Sequence, residues 1–247
     1  MPKKLSEGQA AEAVDTADTA NASVDMTRML VAEGLGAGVL MFSIVAAGIL
    51  AERFAGGNVA IAMLITSLAG VSAFVALRLV LFRVAPFAFT PLMALADVLE
   101  GRAPLMQALL ASAAQMAAAV LGVMLAHLVT NTGLVQVATQ IQTGQGIWGG
   151  EFVAGAFFVM VMRDLRKSTP LTVALVGGLV LLALSLIMPS MSFANPAITL
   201  ARTLTDSFTA IRLQDAGIIA VCQIAGAVVG VYAGRWLSPH ARSGNES

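Results

Sequence analysis

Six apolar runs limit what this chain can become before any other feature is considered. Met29–Ala51, Asn58–Phe82, Pro104–Val129, Ile147–Met162, Pro170–Met188 and Ala216–Leu237 approach or exceed the roughly 20 residues that carry a helix across a bilayer core of about 30 Å. In hydrocarbon, every backbone N–H and C=O must be paired within its own segment, so such runs become helices. Charged residues make up 11% of the chain, against about 25% in an ordinary soluble domain, and mean hydropathy is +0.86. The sequence therefore predicts an all-α membrane protein solvated mainly by a lipid bilayer. A formal net charge of zero gives no electrostatic ground for a nucleic-acid partner.

The ends differ from the middle. Residues 1–28 begin MPKKLSEGQAAEAVDTADTANASVD, polar and small, without the apolar core or cleavage site of a signal peptide. They read as a disordered cytoplasmic tail, and residues 238–247 as a second tail. Lys3, Lys4, Arg28, Arg83, Arg102, Arg163, Arg166, Lys167, Arg235 and Arg242 fall on one side of the spans. Arg53, Arg202 and Arg212 fall on the other. The excess of positive charge marks the first side as cytoplasmic, and an even number of spans places both termini there, in an inner (plasma) membrane. The linker 130–146, TNTGLVQVATQIQTGQG, carries no charge and is expected outside.

Two halves, 29–129 and 147–237, follow one plan. Glu33 stands near the opening of the first span and Glu151 near the opening of the fourth. AQMAAAVLG (Ala114–Gly122) in the third span matches CQIAGAVVG (Cys222–Gly230) in the sixth, which aligns Gln115 with Gln223 and Gly122 with Gly230. APFAFTPLMALADVLEG and MPSMSFANPAITLARTLTD occupy the same place in each half. Three spans is an odd number, so the second copy must be inserted upside down, an arrangement that puts a solute path near the midplane.

The two inter-span segments carry helix-start chemistry. Asn195 is a good N-cap, and Pro196 suits the first helical position because its missing N–H is not needed there. A helix over Pro196–Asp206 would run about 15 Å, half of the bilayer core. Thr90 and Pro91 repeat the device, with Pro91–Glu100 as helix, although Thr-Pro by itself also fits an ordinary turn. Two half-helices entering from opposite sides would meet N-terminus to N-terminus, each bringing about half a positive charge and unpaired N–H donors. Such a junction repels cations and hydrogen-bonds a neutral solute. Thr90 offers one hydroxyl donor where asparagine offers two amide donors, so the first tip is the poorer one.

Through Asn195-Pro196-Ala197, Glu33, Glu151 and the paired Gln-Gly motifs, the chain resembles the major intrinsic protein family, the aquaporins and aquaglyceroporins, from about Ala32 to Leu237. The family has Asn-Pro-Ala in both half-helices, whereas the first copy here reads Thr90-Pro91-Leu92. SFANPAITLARTLTDSFTAI is also similar to bacterial members associated with arsenic-resistance gene sets. The resemblance implies six transmembrane helices plus two re-entrant half-helices in an inverted repeat, a homotetramer with one pore per subunit, and passive passage of small uncharged solutes. It further implies that Glu33 and Glu151 accept backbone N–H bonds from the neighbouring re-entrant loops. Counting from the motifs places the selectivity filter at Gly70, Ala183, Ser192 and Ile198. Water-selective members carry an arginine where Ile198 stands, so the filter is expected to be wide and apolar. Arg202, one turn further on, is not expected to replace that arginine, and Arg78 is expected to snorkel to the headgroups. Polyols such as glycerol, urea, undissociated arsenous acid or a methylated arsenical suit such a filter, with water as a further candidate permeant. An ion or organic-anion path, or a non-conducting scaffold with a decayed first motif, are the alternative readings.

The remaining residue types suggest packing. Gly34 and Gly38, and Gly226, Gly230 and Gly234, form small-xxx-small faces for close helix approach. His127 and His240 have no ligand partners at metal spacing, and Cys222 is the one cysteine. Trp148, Tyr232 and Trp236 fall near span ends, as interfacial aromatics do. With no nucleophile-base pair, phosphate loop or paired acid, the sequence predicts neither catalysis nor a cofactor nor a metal.

Overall fold

The structure, a computed structural model, describes residues 7–238, with side chains from Asp25 onward. Among these residues eight α-helices follow in order: α1 Glu7–Phe54, α2 Val59–Leu81, α3 Pro91–Leu99, α4 Leu105–Val129, α5 Gln145–Asp164, α6 Pro170–Ile187, α7 Pro196–Ala201 and α8 Leu213–Leu237. A 3₁₀ turn over Leu165–Lys167 prolongs α5, and another over Arg202–Leu204 prolongs α7. Among the described residues, six helices are long and apolar enough to cross a membrane, Asp25–Phe54 being the part of α1 that qualifies. The helix α1 begins at Glu7, so residues 7–28 are helical where the sequence suggests a disordered tail. The Ala-rich run AAEAVDTADTANAS explains this, because alanine is the best helix former. Lys3, Lys4, His240 and Arg242 lie outside the described residues.

Local chemistry sets the boundaries. Asn58 caps α2 by accepting the Ile61 N–H at 3.1 Å. Thr169 caps α6 by accepting the Thr172 N–H at 3.2 Å, with Pro170 at the first turn. Both short helices open the same way, on Thr90-Pro91 and Asn195-Pro196.

The inverted repeat is visible in the packing. α1 lies against α4 as α5 lies against α8, and α2 against α6 joins the halves. Each short helix, α3 and α7, packs on both α4 and α8. The aligned glycines make the two long contacts possible. A Cβ on Gly122 would stand 2.3 Å from the Gly38 carbonyl oxygen, and one on Gly230 would stand 2.3 Å from that of Ala156. Backbone touches backbone there, as the small-residue faces predict. Exposed Val80, Leu121, Leu179, Val221 and Trp236 give the outside an apolar coat suited to lipid.

The C-terminal end of α3 is a charge cluster. Arg163 meets Glu100 at 2.8 Å, Arg166 meets Asp97 at 2.5 Å, and Arg235 Nη2 donates to the Leu99 carbonyl at 2.6 Å. Arg102 pairs with both acids. Cations gathered at the negative end of a helix dipole are favourably placed, and they anchor the half-helix where it leaves the bundle. At the other end of the molecule, the 130–146 linker ties to the segment after α7. Gln136 N–H donates to the Leu204 carbonyl at 3.0 Å, Ala138 N–H to Thr203 at 3.2 Å, and Gln142 N–H to Asp215 at 2.9 Å.

Candidate functional site

The tips of α3 and α7 meet and exchange hydrogen bonds. Thr90 and Asn195 are extended N-caps with φ of −139° and −147°. Thr90 Oγ1 accepts the Leu92 N–H at 3.3 Å, while Asn195 Oδ1 accepts those of Ala197 at 3.0 Å and Ile198 at 3.4 Å. Each cap also reaches across. Asn195 Nδ2 donates to the Phe89 carbonyl at 2.8 Å, and Thr90 Oγ1 donates to the Ala194 carbonyl at 3.3 Å. Phe89 and Ala194 are the residues just before the two caps, and both hold a left-handed backbone, φ +65° and +46°. A non-glycine residue there costs about 1–3 kcal/mol, so the surroundings must hold the loops in place. Donor counting gives the junction its asymmetry. Asn195 Nδ2 has a second amide hydrogen beyond the one it gives to Phe89, whereas the single hydroxyl hydrogen of Thr90 is spent on Ala194.

Two buried carboxylates do the holding. Glu33 accepts the N–H groups of Phe87 at 2.5 Å and Phe89 at 2.9 Å, and the amide of Gln115 at 2.7 Å. Glu151 accepts the amide of Gln223, also at 2.7 Å, but among the described residues takes no loop N–H directly. The Ser192 hydroxyl donates to it at 2.6 Å and itself accepts the Ala194 N–H at 3.1 Å. The direct clamp expected for both glutamates therefore exists at Glu33 and is relayed through a side chain at Glu151. Gln115 and Gln223 are supports that the sequence marked only as an aligned pair.

The expected filter positions divide. Gly70 is buried, and a Cβ there would lie 2.8 Å from the Phe193 ring and 2.9 Å from Ile44. The space left by Gly70 thus holds an aromatic ring supplied by the loop, which the sequence count overlooked. Ser192 is fully buried with its hydroxyl engaged as above, and Ile198 is buried in the first turn of α7. Ala183 does not join them: it is exposed, while Leu184 and Ser185 beside it form the buried face of α6. Counting back from the motif crosses the irregular segment 188–195, and one residue of error turns a helical side chain by about 100°.

Arginines flank the junction on both sides. Arg202 is one turn beyond Ile198, yet its guanidinium folds back onto the loop, with Nη1 on the Met191 carbonyl at 3.3 Å, Nη2 on Ser190 at 3.1 Å and Nε on Thr209. It lines a cavity of about 170 Å³ together with Met63, Gln140, Gln142, Ser190 and Phe208. Arg78 does not snorkel. It is 4% exposed and donates to the Ala85 carbonyl at 2.6 Å, inside the bundle on the other side of the junction. Its stem lies near a span end, where sequence alone does not tell an inward from an outward face. His127 is structural, with Nδ1 at 2.9 Å from the Leu134 carbonyl and Nε2 at 2.9 Å from Thr205 Oγ1.

Six spanning helices around two half-helices with exchanged caps, each loop tied to a buried glutamate, define the aquaporin-like class of membrane protein. Comparison with known proteins agrees. The chain is 32% identical over 222 residues to the aquaglyceroporin AqpS of Rhizobium meliloti (strain 1021), covering 88% of this chain and 93% of that one. It shares its fold with the aquaglyceroporin from Plasmodium falciparum at a TM-score of 0.66 and 18% identity, covering 87% of this chain and 98% of the other. No family model matches. The chain belongs to the major intrinsic protein family and is a multi-pass membrane protein.

Proposed function

We propose that this chain is a passive channel for small uncharged solutes, with glycerol-sized polyols, urea and undissociated metalloid acids as its substrate class. The observation that carries the reading is the reciprocal bonding of Thr90 and Asn195 across the tips of α3 and α7. It fixes two positive helix ends against each other, and leaves one Asn195 amide hydrogen to bind an oxygen-bearing solute. Cations are disfavoured at such a place, while a neutral solute exchanges water hydrogen bonds for protein ones. The filter layer is formed by Phe193 packed on Gly70, together with Ile198 and the backbone at Ser192. No arginine directly follows Asn195-Pro196-Ala197, where Ile198 stands. Arg202 supplies a fixed positive charge one turn further from the junction.

In this reading the Arg78 side faces the cytoplasm of a cell whose inner membrane holds the protein, both termini lie there, and four copies assemble with one path each. The similarity to aquaglyceroporin AqpS supports the solute class. Stopped-flow light scattering on proteoliposomes with glycerol, urea and water, beside conductance across planar bilayers, tests the proposal. Solute flux above empty liposomes without conductance is the expected result. Conductance would favour an ion path, and neither signal would leave a scaffold.

A further inference from the structure

A second cavity, also about 170 Å³, lies on the Arg78 side of the junction. Its lining combines two guanidinium groups, Arg78 from α2 and Arg166 from the turn after α5, with Phe82, Ala88, Met93 and Met162. Arg78 is 4% exposed, and its guanidinium carbon stands 5.3 Å from the Phe82 ring centre and 5.8 Å from that of Phe89. One of its terminal nitrogens holds the Ala85 carbonyl, but Nε has no hydrogen-bond partner among the described residues. Arg166 Nη2 lies 2.5 Å from Asp97 as an ion pair, but among the described residues neither Nη2 nor Nε has a hydrogen-bond partner.

The nearby carboxylates do not fill the gap. Both oxygens of Glu33 are taken by Phe87, Phe89 and Gln115, so it acts on Arg78 only through space. Asp97 is shared between Arg166 and Arg102. The charged neighbours of Arg78 include Arg166, so two like charges repel across a poorly polar cavity while each keeps an unused N–H. Such an arrangement costs free energy that an acceptor-rich anion removes, because guanidinium donors match the planar fork of an oxyanion.

We infer that this cavity binds one small free oxyanion, of the carboxylate or phosphate class, between Arg78 and Arg166. Ala88 and Met93 place it next to Thr90, on the approach to the junction. An anion held there narrows the approach and slows neutral solutes; this consequence for flux rests on the channel reading above, whereas the binding does not.

Isothermal titration of the purified full-length protein in nonionic detergent, with inorganic phosphate and with acetate, tests it. Saturable binding is expected, weakened about tenfold or more in Arg166→Gln, because losing one charged donor removes about 1.5–3 kcal/mol. Arg166→Lys keeps the charge and the Asp97 pair but not the fork, and should fall between the two. It also serves if the glutamine variant does not assemble. No saturable binding, or binding unchanged in the assembled Arg166 variants, overturns the site. Binding of short-chain phosphatidylglycerol in place of phosphate and acetate would assign the pocket to a lipid headgroup, and would overturn the free-anion reading. In proteoliposomes, wild-type glycerol flux should be lower in phosphate than in chloride, and that difference should vanish in Arg166→Gln. Binding without any glycerol flux would remove the channel reading and leave the anion site standing.

Discussion

The hydroxyl of Ser192 donates to Glu151 Oε2 at 2.6 Å and, on its other side, accepts the Ala194 N–H at 3.1 Å. Phe87 holds the equivalent place three residues before Thr90, and there its own backbone N–H meets Glu33. One repeat thus clamps its loop by main chain and the other through a side chain. Replacing Ser192 by alanine would leave the Ala194 N–H unpaired and reduce Glu151 to its Gln223 contact. Each buried group left unpaired costs about 1–3 kcal/mol, so Ser192→Ala should melt clearly below wild type. Ser192→Thr keeps the hydroxyl and should recover most of the loss. Thermal unfolding of the purified proteins decides, and an alanine variant as stable as wild type would remove the relay.

The glycine contacts make a second prediction with an internal control. Gly230→Ala and Gly122→Ala place a methyl group 2.3 Å from a carbonyl oxygen on the facing helix, where backbone must move to make room. Overpacking of this kind costs about 1–3 kcal/mol. Gly149 also lies within a helix, α5, but a Cβ there meets nothing within 4 Å, so Gly149→Ala should be neutral or stabilising by about 0.5–1 kcal/mol. Assembled yield and melting temperature separate the two classes, and equal behaviour of Gly149→Ala and Gly230→Ala would refute the close-contact account.

Much of this arrangement is legible in the chain because its signals are either very long or very local. Hydropathy over some 20 residues places a span regardless of what it packs against. Asn195-Pro196 and Thr90-Pro91 announce a helix start from cap chemistry alone. What the sequence misplaces depends on direction. The rotation of Ala183 about α6 and the inward turn of Arg78 are set by packing. Phe193 sits beside Gly70 because a side chain from a distant loop fills the gap. The hydrogen bonds of Gln115 and Gln223 to their glutamates were foreshadowed by their alignment, but only the helix pairing of α1 with α4 and α5 with α8 brings donor to acceptor.

At the junction, the unequal caps lead to a prediction about charge exclusion. The Thr90 hydroxyl hydrogen is committed to the Ala194 carbonyl, so that cap presents no free donor. Thr90→Asn should keep the cap, preserve the bond to Ala194 and add one amide hydrogen facing the solute. One more donor is worth about 1 kcal/mol, which makes a cation leak roughly fivefold smaller while glycerol flux persists. Proton and potassium leak in proteoliposomes, measured beside glycerol flux, checks it. A wild type with no leak above empty liposomes would leave the asymmetry without this consequence.

The filter prediction follows from the ring that fills the space at Gly70. Phe193→Ala removes that ring from the neighbourhood of Gly70 and Ile44, so the layer beside Ile198 widens. Flux of polyols larger than glycerol should rise relative to water. Ile198→Arg should act in the opposite direction, because a guanidinium adds volume, fixed charge and a donor fork across the same layer. Larger solutes should lose flux first and water last. Each variant carries a folding cost: a buried Phe→Ala loses about 3–5 kcal/mol when the site cannot collapse. A buried arginine costs several kcal/mol unless carbonyls pair it, and Arg202 already holds those of Ser190 and Met191. Elution volume and melting temperature must therefore match before fluxes are compared. If the assembled Phe193→Ala protein keeps the wild-type ratio of polyol to water flux, and Ile198→Arg keeps the full solute range, the filter does not lie in this layer.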